Sequence, residues 1–251
     1  MLNSQDVPEC VQKIEWVNGG RTNVPILLAS SARNVKLFAL KEKNIDKQVT
    51  STKMLEKGKG LMIPKPKTIS SSKQGKHLAT YKSCKEDRLH SISMAHDREN
   101  FLTADEARVD LWNVEKTNDT VYSLVDYERR HSTFEDERIT SAKFNQNSGC
   151  SFLYTTSTGK INICDLRERS DFHSRPSLQL EVGFKNNGLR SHVFNKWVDC
   201  VSEAKFVPGT MQVVSRDYMS VKLWDLRSAS SYNSKPLYSA QVTDYMERHL
   251  P

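Results

Sequence analysis

The sequence predicts an all-β fold, a WD40-type β-propeller of about four blades that carries a long basic insertion. Three observations support this prediction. One strand pattern occurs four times, turn-forming residues lie at matching places between the strands, and the excess positive charge is confined to one segment. A chain of 251 residues is long enough to bury a sizeable core. The hydrophobic fraction of 37% is low for a soluble protein but does not indicate disorder.

The repeated unit is a short strand in which apolar and polar positions alternate before a bulky residue. Pairs of apolar residues lie upstream of each copy, and a third apolar run lies between the two. Three strands in a constant register predict blades near 11–40, 89–114, 139–166 and 201–226. The alternative is a β-sandwich of four unrelated strand triplets. The bulky residues are Phe38, Trp112, Cys164 and Trp224.

Turn chemistry agrees with this division. Asp105 and Asp217 each lie seven residues before the Trp of their repeat, where the chain must reverse between two strands. An Asp side chain suits such a reversal because it accepts hydrogen bonds from nearby backbone N–H groups. The bulky residues are 74, 52 and 60 residues apart. Compact WD40 repeats measure ~40 to 45 residues, so we expect the additional residues in loops.

The excess positive charge lies in a basic inter-blade arm, residues 41–88. Residues 41–90 hold 13 Lys or Arg and 5 Asp or Glu, within a net charge of +7 for the whole chain. A solvated insertion is one interpretation, and a docking arm that acidic partners attract is another. Nucleic-acid binding ranks last, because Tyr81 is the only aromatic residue of the arm and single-strand binding relies on stacking rings.

The sequence lacks the motifs of common catalytic sites. It has no metallophosphatase ligand motif, nucleophile elbow, P-loop or dinucleotide fingerprint, and its seven His have no metal-ligand spacing. We therefore expect no enzyme activity, no cofactor and no metal. The five Cys never form a CxxC pair, which favours a reducing compartment. With no secretory signal and no apolar membrane span, we expect a cytoplasmic protein, with the nucleus as a second location.

Three stretches carry a family resemblance. Residues 215–226 (Ser-Arg-Asp-Tyr-Met-Ser-Val-Lys-Leu-Trp-Asp-Leu), 101–112 and 154–167 are similar to the B-type (55 kDa class) regulatory subunits of protein phosphatase 2A. Residues 89–250 align almost without gaps, and residues 11–40 align more loosely. That family forms a closed ring of seven blades, so the resemblance implies an incomplete propeller, about four of seven blades. We expect the chain to be a fragment of a longer product.

The resemblance also implies two binding regions. The arm would dock on the helical-repeat scaffold subunit through Leu61, Ile63, Lys65 and Lys67. The top face of the propeller would bind substrates through Glu106, Asp87, Arg88 and Glu135. Glu106 keeps the charge of a family Asp, whereas Glu135 stands where the family has Leu, and Asp87 with Arg88 replaces a Tyr-His pair.

The function that the resemblance implies is that of a regulatory subunit. The chain would bind the scaffold and catalytic subunits of phosphatase 2A and recruit phosphoprotein substrates, which raises their effective concentration at another subunit's active site. The alternatives are a generic WD-repeat adaptor of another complex and, ranked lower, a nucleic-acid-binding protein that uses the lysine-rich arm.

Overall fold

A computed structural model describes residues 10–17, 24–47, 67–82, 88–117, 122–127, 137–168, 176–182, 200–228 and 235–241, with backbone alone for 42–47 and 67–74. Every regular element within these ranges is a β-strand, so the all-β prediction is confirmed. The strands form four antiparallel sheets of four strands each, and the strands of every sheet are neighbours in chain order. This arrangement contradicts the β-sandwich alternative, which needs two facing sheets.

The bounds of the strands are as follows. Sheet 1 holds β1 (Lys13–Val17), β2 (Ile26–Ser30), β3 (Asn34–Lys47) and β4 (Lys67–Lys82). Sheet 2 holds β5 (Ser91–Met94), β6 (Asn100–Ala104), β7 (Arg108–Asn113) and β8 (Tyr122–Asp126). Sheet 3 holds β9 (Ile139–Phe144), β10 (Ser151–Thr156), β11 (Lys160–Asp165) and β12 (Leu178–Glu181). Sheet 4 holds β13 (Glu203–Phe206), β14 (Gln212–Arg216), β15 (Ser220–Asp225) and β16 (Tyr238–Gln241).

The four bulky residues of the repeat occupy equivalent places. Each is the fifth residue of the third strand in its sheet, and each pairs with a residue of the second strand. Each sheet also has a fourth strand, which the repeat pattern of three strands did not predict. The bulky residues are Phe38, Trp112, Cys164 and Trp224.

Among the described residues, three hydrophobic cores join the sheets in series, one core at each junction between successive sheets. Every sheet presents two sets of side chains. One set, which we call the rear row, packs against the preceding sheet. It comprises Met94, Phe101 and Trp112 in sheet 2, Phe144, Phe152 and Cys164 in sheet 3, and Phe206, Val213 and Trp224 in sheet 4.

The other set, which we call the forward row, packs against the following sheet. It comprises Leu28, Val35 and Leu37 in sheet 1, Leu102, Val109 and Leu111 in sheet 2, and Leu153, Ile161 and Ile163 in sheet 3. Because strand side chains alternate between faces, the register assigns Trp16, Leu27 and Phe38 to the rear row of sheet 1. The same register assigns Val214, Val221 and Leu223 to the forward row of sheet 4.

Polar contacts reinforce the junctions. At the junction of sheets 1 and 2, the hydroxyl of Tyr81 donates to the Val114 carbonyl at 2.5 Å, and the Tyr81 ring meets Phe101 edge-on at 5.0 Å. Burial raises the pKa of Tyr81 to about 12, which keeps this hydroxyl a donor. At the junction of sheets 2 and 3, the Ser91 hydroxyl donates to the Ala142 carbonyl at 3.0 Å.

A long hairpin extends from sheet 1. β3 and β4 remain paired from Asn34 with Lys82 to Lys47 with Lys67, whereas β2 ends its pairing with β3 at Ala39. The paired residues beyond Ala39 form a two-stranded ribbon that reaches about 26 Å at ~3.3 Å per residue. A bulge at Leu78, which is 45% exposed, marks the place where the ribbon leaves the sheet.

Candidate partner-binding face

The turns between the second and third strands of the four sheets lie at one edge of the molecule, which we call the turn edge. In sheet 2 this turn is held by Asp105, whose Oδ1 accepts the backbone N–H groups of Ala107 at 2.8 Å and Arg108 at 2.6 Å. Asp217 holds the turn of sheet 4 in the same way, through the N–H groups of Met219 and Ser220. The two aspartates therefore have the turn roles that their positions before Trp112 and Trp224 predict.

Glu106 lies at the tip of the sheet 2 turn, with its side chain 56% exposed. The Glu106 carbonyl accepts the Ile139 N–H at 2.8 Å, so the turn is bonded to the first strand of sheet 3. The Glu106 carboxylate accepts a hydrogen bond from the Arg138 guanidinium at 2.6 Å. Since Arg138 is itself 67% exposed, this ion pair is accessible to a competing partner.

Arg88 lies at the same edge. Its neighbour Leu89 donates to the Ala32 carbonyl in the turn of sheet 1, just as Ile139 donates to Glu106 in the turn of sheet 2. Arg88 and Arg138 therefore occupy equivalent positions, each before a buried aliphatic residue that anchors a new sheet. Arg88 is exposed. Asp87 and Glu135, the other two predicted substrate-binding residues, lie outside the described residues.

A second polar group adjoins Arg138. Glu137 accepts a hydrogen bond from the Thr158 hydroxyl at 2.7 Å and lies 3.3 Å from the Lys160 amine. The Arg138 backbone N–H donates to the Ser157 hydroxyl at 3.0 Å. The turn edge between sheets 2 and 3 thus alternates acidic and basic side chains, a pattern that suits recognition of a charged peptide segment.

His90 lies beneath Arg88 and is largely withdrawn from solvent. Burial lowers the pKa of His90, although the backbone carbonyl of Arg88 and the carboxylates of Asp105 and Glu106 act in the opposite direction. A neutral His90 adds no positive charge to the turn edge near neutral pH. The charge of this edge is therefore set by the carboxylates and guanidinium groups.

The structure also identifies residues that the sequence did not. Arg138 is 32 positions from Glu106, and only the stacking of sheets 2 and 3 brings the two together. Tyr218 projects from the turn of sheet 4 and is 78% exposed. The sequence could have identified Tyr218 as a turn-edge residue, because it holds the second position of its turn, as Glu106 does in sheet 2.

Of the predicted scaffold-binding residues, Leu61, Ile63 and Lys65 lie outside the described residues. Lys67 is the first residue of β4 and is paired with Lys47 at the far end of the described ribbon. Lys41 and Lys76, nearer the sheet, have exposed side chains. The ribbon therefore carries basic residues on both strands.

Two further properties of the described residues concern metal binding and thiol chemistry. No group of three or more His, Cys, Asp or Glu there could hold a metal ion. Cys10, Cys150, Cys164 and Cys200 are free thiols, and burial raises the pKa of Cys200. Within the same ranges, no helix is long and apolar enough to cross a membrane.

The four stacked sheets and the turn edge define a WD-repeat propeller segment. Two solved structures have the same fold: Raptor of Chaetomium thermophilum, with a TM-score of 0.58 and 13% identity, and a chain of apo ctPRC2 in an autoinhibited state, with a TM-score of 0.54 and 9% identity. They cover 94% and 88% of this chain, which covers 17% and 39% of theirs. Both are WD40 proteins, so the incomplete-propeller prediction is confirmed.

The chain is similar in sequence to 55 kDa regulatory subunits of protein phosphatase 2A. It is 29% identical over 259 residues to the PP2A 55 kDa regulatory subunit of Drosophila melanogaster, and 28% identical over 258 residues to the B beta isoform of Carassius auratus. Each match covers 99% of this chain but 50% and 56% of the relative, so the chain spans about half the length of these proteins. No family model matches the sequence.

Proposed function

We propose that this chain regulates protein phosphatase 2A by binding, without catalysing a reaction itself. It would hold the scaffold and catalytic subunits and recruit phosphoprotein substrates at the turn edge, in the cytoplasm and also in the nucleus. The observation that carries this proposal is the match of the 55 kDa regulatory subunits over 99% of the chain. The basic ribbon and the charged turn edge supply two separate surfaces for the two tasks.

The ribbon is the surface that we assign to the scaffold. A two-stranded projection of about 26 Å moves its lysines away from the body of the sheets, at ~3.3 Å per residue. Exposed lysines on such a projection speed association with an acidic surface, and this effect weakens as salt screens the charges. Lys41 and Lys76 are the exposed members nearest the sheet.

The assembly test is a pull-down with the purified scaffold–catalytic dimer. The wild-type chain is expected to bind, and the double variant Lys41→Glu with Lys76→Glu is expected to bind at least ~10-fold more weakly, with the difference shrinking at high salt. Lys116→Glu, at an exposed lysine after β7, is the matched control and should bind as the wild type does. If the wild-type chain does not bind the dimer, the proposal is contradicted and the generic WD-repeat adaptor becomes the favoured function. Steeply salt-dependent DNA or RNA binding by the ribbon would favour the nucleic-acid interpretation.

The turn edge is tested by two substitutions of opposite expected sign. Glu106→Gln removes the carboxylate that would grip a basic substrate segment, so binding of a lysine-rich peptide should weaken ~2- to 5-fold. Arg138→Gln frees that carboxylate from its ion pair, so the same peptide should bind more tightly by a similar factor. Glu115→Gln, at an exposed residue after β7, should change nothing. Equal effects of the first two variants would contradict the role of Glu106.

A further inference from the structure

His90 lies where sheets 2 and 3 meet at the turn edge. Its backbone N–H donates to the Ala104 carbonyl at 3.0 Å, which places the residue beside the turn that Asp105 holds. The next residue, Ser91, is bonded to Ala142 of sheet 3, since its hydroxyl donates to the Ala142 carbonyl at 3.0 Å and accepts the Ala142 N–H at 3.2 Å. The His90 ring therefore adjoins both a turn of sheet 2 and the first strand of sheet 3.

The two ring nitrogens of His90 have different surroundings. Nδ1 lies 3.4 Å from the carbonyl oxygen of Arg88, a residue whose own side chain is exposed. Since a carbonyl oxygen only accepts, this contact places the proton of a neutral ring on Nδ1. Nε2 is buried and forms no hydrogen bond with the described residues. A protonated ring would carry a second N–H group at Nε2, where a buried donor without an acceptor is unfavourable.

The charges around the ring act in both directions. The carboxylates of Asp105 and Glu106, in the turn of sheet 2, and the backbone of Ile139, in sheet 3, favour a protonated ring. Burial opposes them and has the largest effect, so the pKa of His90 is lowered. The Glu106 carboxylate also pairs with the Arg138 guanidinium at 2.6 Å, which reduces what it offers to a charged ring. The junction therefore accommodates the neutral ring better than the charged one.

The same junction fixes the tip of the turn edge. The Glu106 carbonyl accepts the Ile139 N–H at 2.8 Å, and the Glu106 carboxylate accepts a hydrogen bond from Arg138. Both contacts join the turn of sheet 2 to the start of sheet 3. Because the ring of His90 adjoins both segments, a movement that brings this ring into water would loosen both contacts.

We propose that His90 is a pH-sensitive latch of the turn edge. The neutral ring holds the turn of sheet 2 and the start of sheet 3 together, and protonation favours a locally opened state in which the ring is hydrated. In that state Glu106 loses its fixed position, so a basic peptide segment binds less tightly at acidic pH. This effect on peptide binding rests on the proposed role of Glu106, whereas the opening of the latch does not.

The direction of the pH dependence follows from the two states of the latch. In the opened state the His90 ring titrates near the ordinary histidine value of about 6.5, whereas in the closed state its pKa is lower. The opened state therefore binds more protons as the pH falls below about 6.5, and opening becomes more favourable until the closed state is protonated too. Above about pH 7.5 both states are neutral at this ring, and the latch stays closed.

Amide hydrogen exchange of the full chain tests the opening without any substitution. The protection factor of the Ile139 N–H, which corrects for the intrinsic exchange rate at each pH, should fall at least ~3-fold between about pH 7.5 and about pH 5.5. The Val182 N–H is the internal reference, because it donates to the Gly159 carbonyl at 2.8 Å in the turn of sheet 3. Equal pH dependence of the two amides would overturn the proposal.

Substitution of the ring identifies the titrating group. His90→Gln keeps a polar side chain that does not titrate, and it should abolish the pH dependence of the Ile139 protection factor. His96→Gln, at an exposed histidine in the β5–β6 hairpin of the opposite edge, is the matched control and should keep that dependence. NMR titration of the wild-type histidine rings provides a second measurement that needs no variant. A His90 pKa at or above the ordinary value in the folded chain would overturn the proposal.

Peptide binding connects the latch to the proposed function. The wild-type chain should bind a lysine-rich peptide ~2- to 5-fold more weakly at about pH 5.5 than at about pH 7.5, and His90→Gln should bind it equally at both. A peptide that binds at neither pH would contradict the proposed role of Glu106. An Ile139 protection factor without pH dependence would overturn the latch, so the two failures are distinguishable.

Discussion

Sheets 2 and 4 carry the same turn aspartate, Asp105 and Asp217, yet the third residue of the strand that follows is Asp110 in one and Lys222 in the other. In sheet 4 the Lys222 amine lies 2.9 Å from the Asp217 carboxylate, and both side chains are almost fully buried. In sheet 2 the equivalent place holds a second carboxylate. The turn aspartate is the same in both sheets, but the third residue of the following strand is acidic in sheet 2 and basic in sheet 4.

Sheet 2 balances its carboxylates differently. Arg108, which replaces the Ser220 of sheet 4, lies 3.4 Å from Asp126, whose side chain is fully buried. Burial raises the pKa of Asp110, and the nearby carboxylates of Asp105 and Asp126 add to this effect while Arg108 opposes it. In both sheets the turn aspartate accepts hydrogen bonds from the two equivalent backbone N–H groups, whereas each sheet compensates the buried charge in its own way.

The largest expected effect is in sheet 4. Lys222→Met keeps the length of the side chain but leaves the Asp217 carboxylate buried without its cation, and we expect a loss of about 3 to 5 kcal/mol in the free energy of unfolding. Urea unfolding of the variant and the wild type measures this loss in the free energy of unfolding. Arg167→Met is the control, since the Arg167–Asp165 pair is exposed and should contribute less than ~1 kcal/mol. Similar losses for both would contradict the importance of the buried pair.

A smaller effect tests what the two sheets share. The Trp112 indole N–H donates to the Thr103 hydroxyl and the Trp224 indole N–H donates to the Ser215 hydroxyl, both at 2.8 Å. Thr103→Val and Ser215→Ala each leave a buried donor unsatisfied, which costs about 1 to 3 kcal/mol. Thermal unfolding of the two variants should give nearly equal losses. A loss in one sheet alone would show that the two Trp are not equivalent.

The smallest effect has the opposite sign. Asp110→Asn removes a buried charge without changing shape, and we expect a stabilisation of about 1 kcal/mol near neutral pH. Because the pKa of Asp110 is raised on folding, the folded chain retains a proton that the unfolded chain loses above the ordinary aspartate pKa. Wild-type stability therefore falls as pH rises through that window, and the variant lacks the fall. Unfolding at about pH 4 and about pH 7 should show a larger advantage for the variant at the higher pH.

The sequence predicted the first three strands of each sheet because these strands repeat one pattern of apolar and polar residues. It did not predict the fourth strands, since these are only partly covered. In β16 all four residues are exposed, so apolar alternation there is weak. Glu106 could be chosen from its turn position, but its partner Arg138 depends on how sheets 2 and 3 stack. The Asp217–Lys222 pair joins residues five positions apart across one turn, but the strand register pairs Lys222 with Ser215, so the register alone does not predict the ion pair.

The packing of the sheets at these three junctions also determines which sheets unfold locally first. Within the described residues, sheets 2 and 3 are each packed on two sides and sheets 1 and 4 are each packed on one, and stacked repeats lose structure from the less supported units. Backbone amides of β6 and β10 should therefore exchange with deuterated solvent more slowly than those of β2 and β14. The side chain of Asn147 should reduce this difference in exchange rate between sheets 3 and 4. It accepts a hydrogen bond from the Gly209 N–H at 2.8 Å and donates one to the Thr210 carbonyl at 3.2 Å, so it links the hairpin of sheet 4 to that of sheet 3.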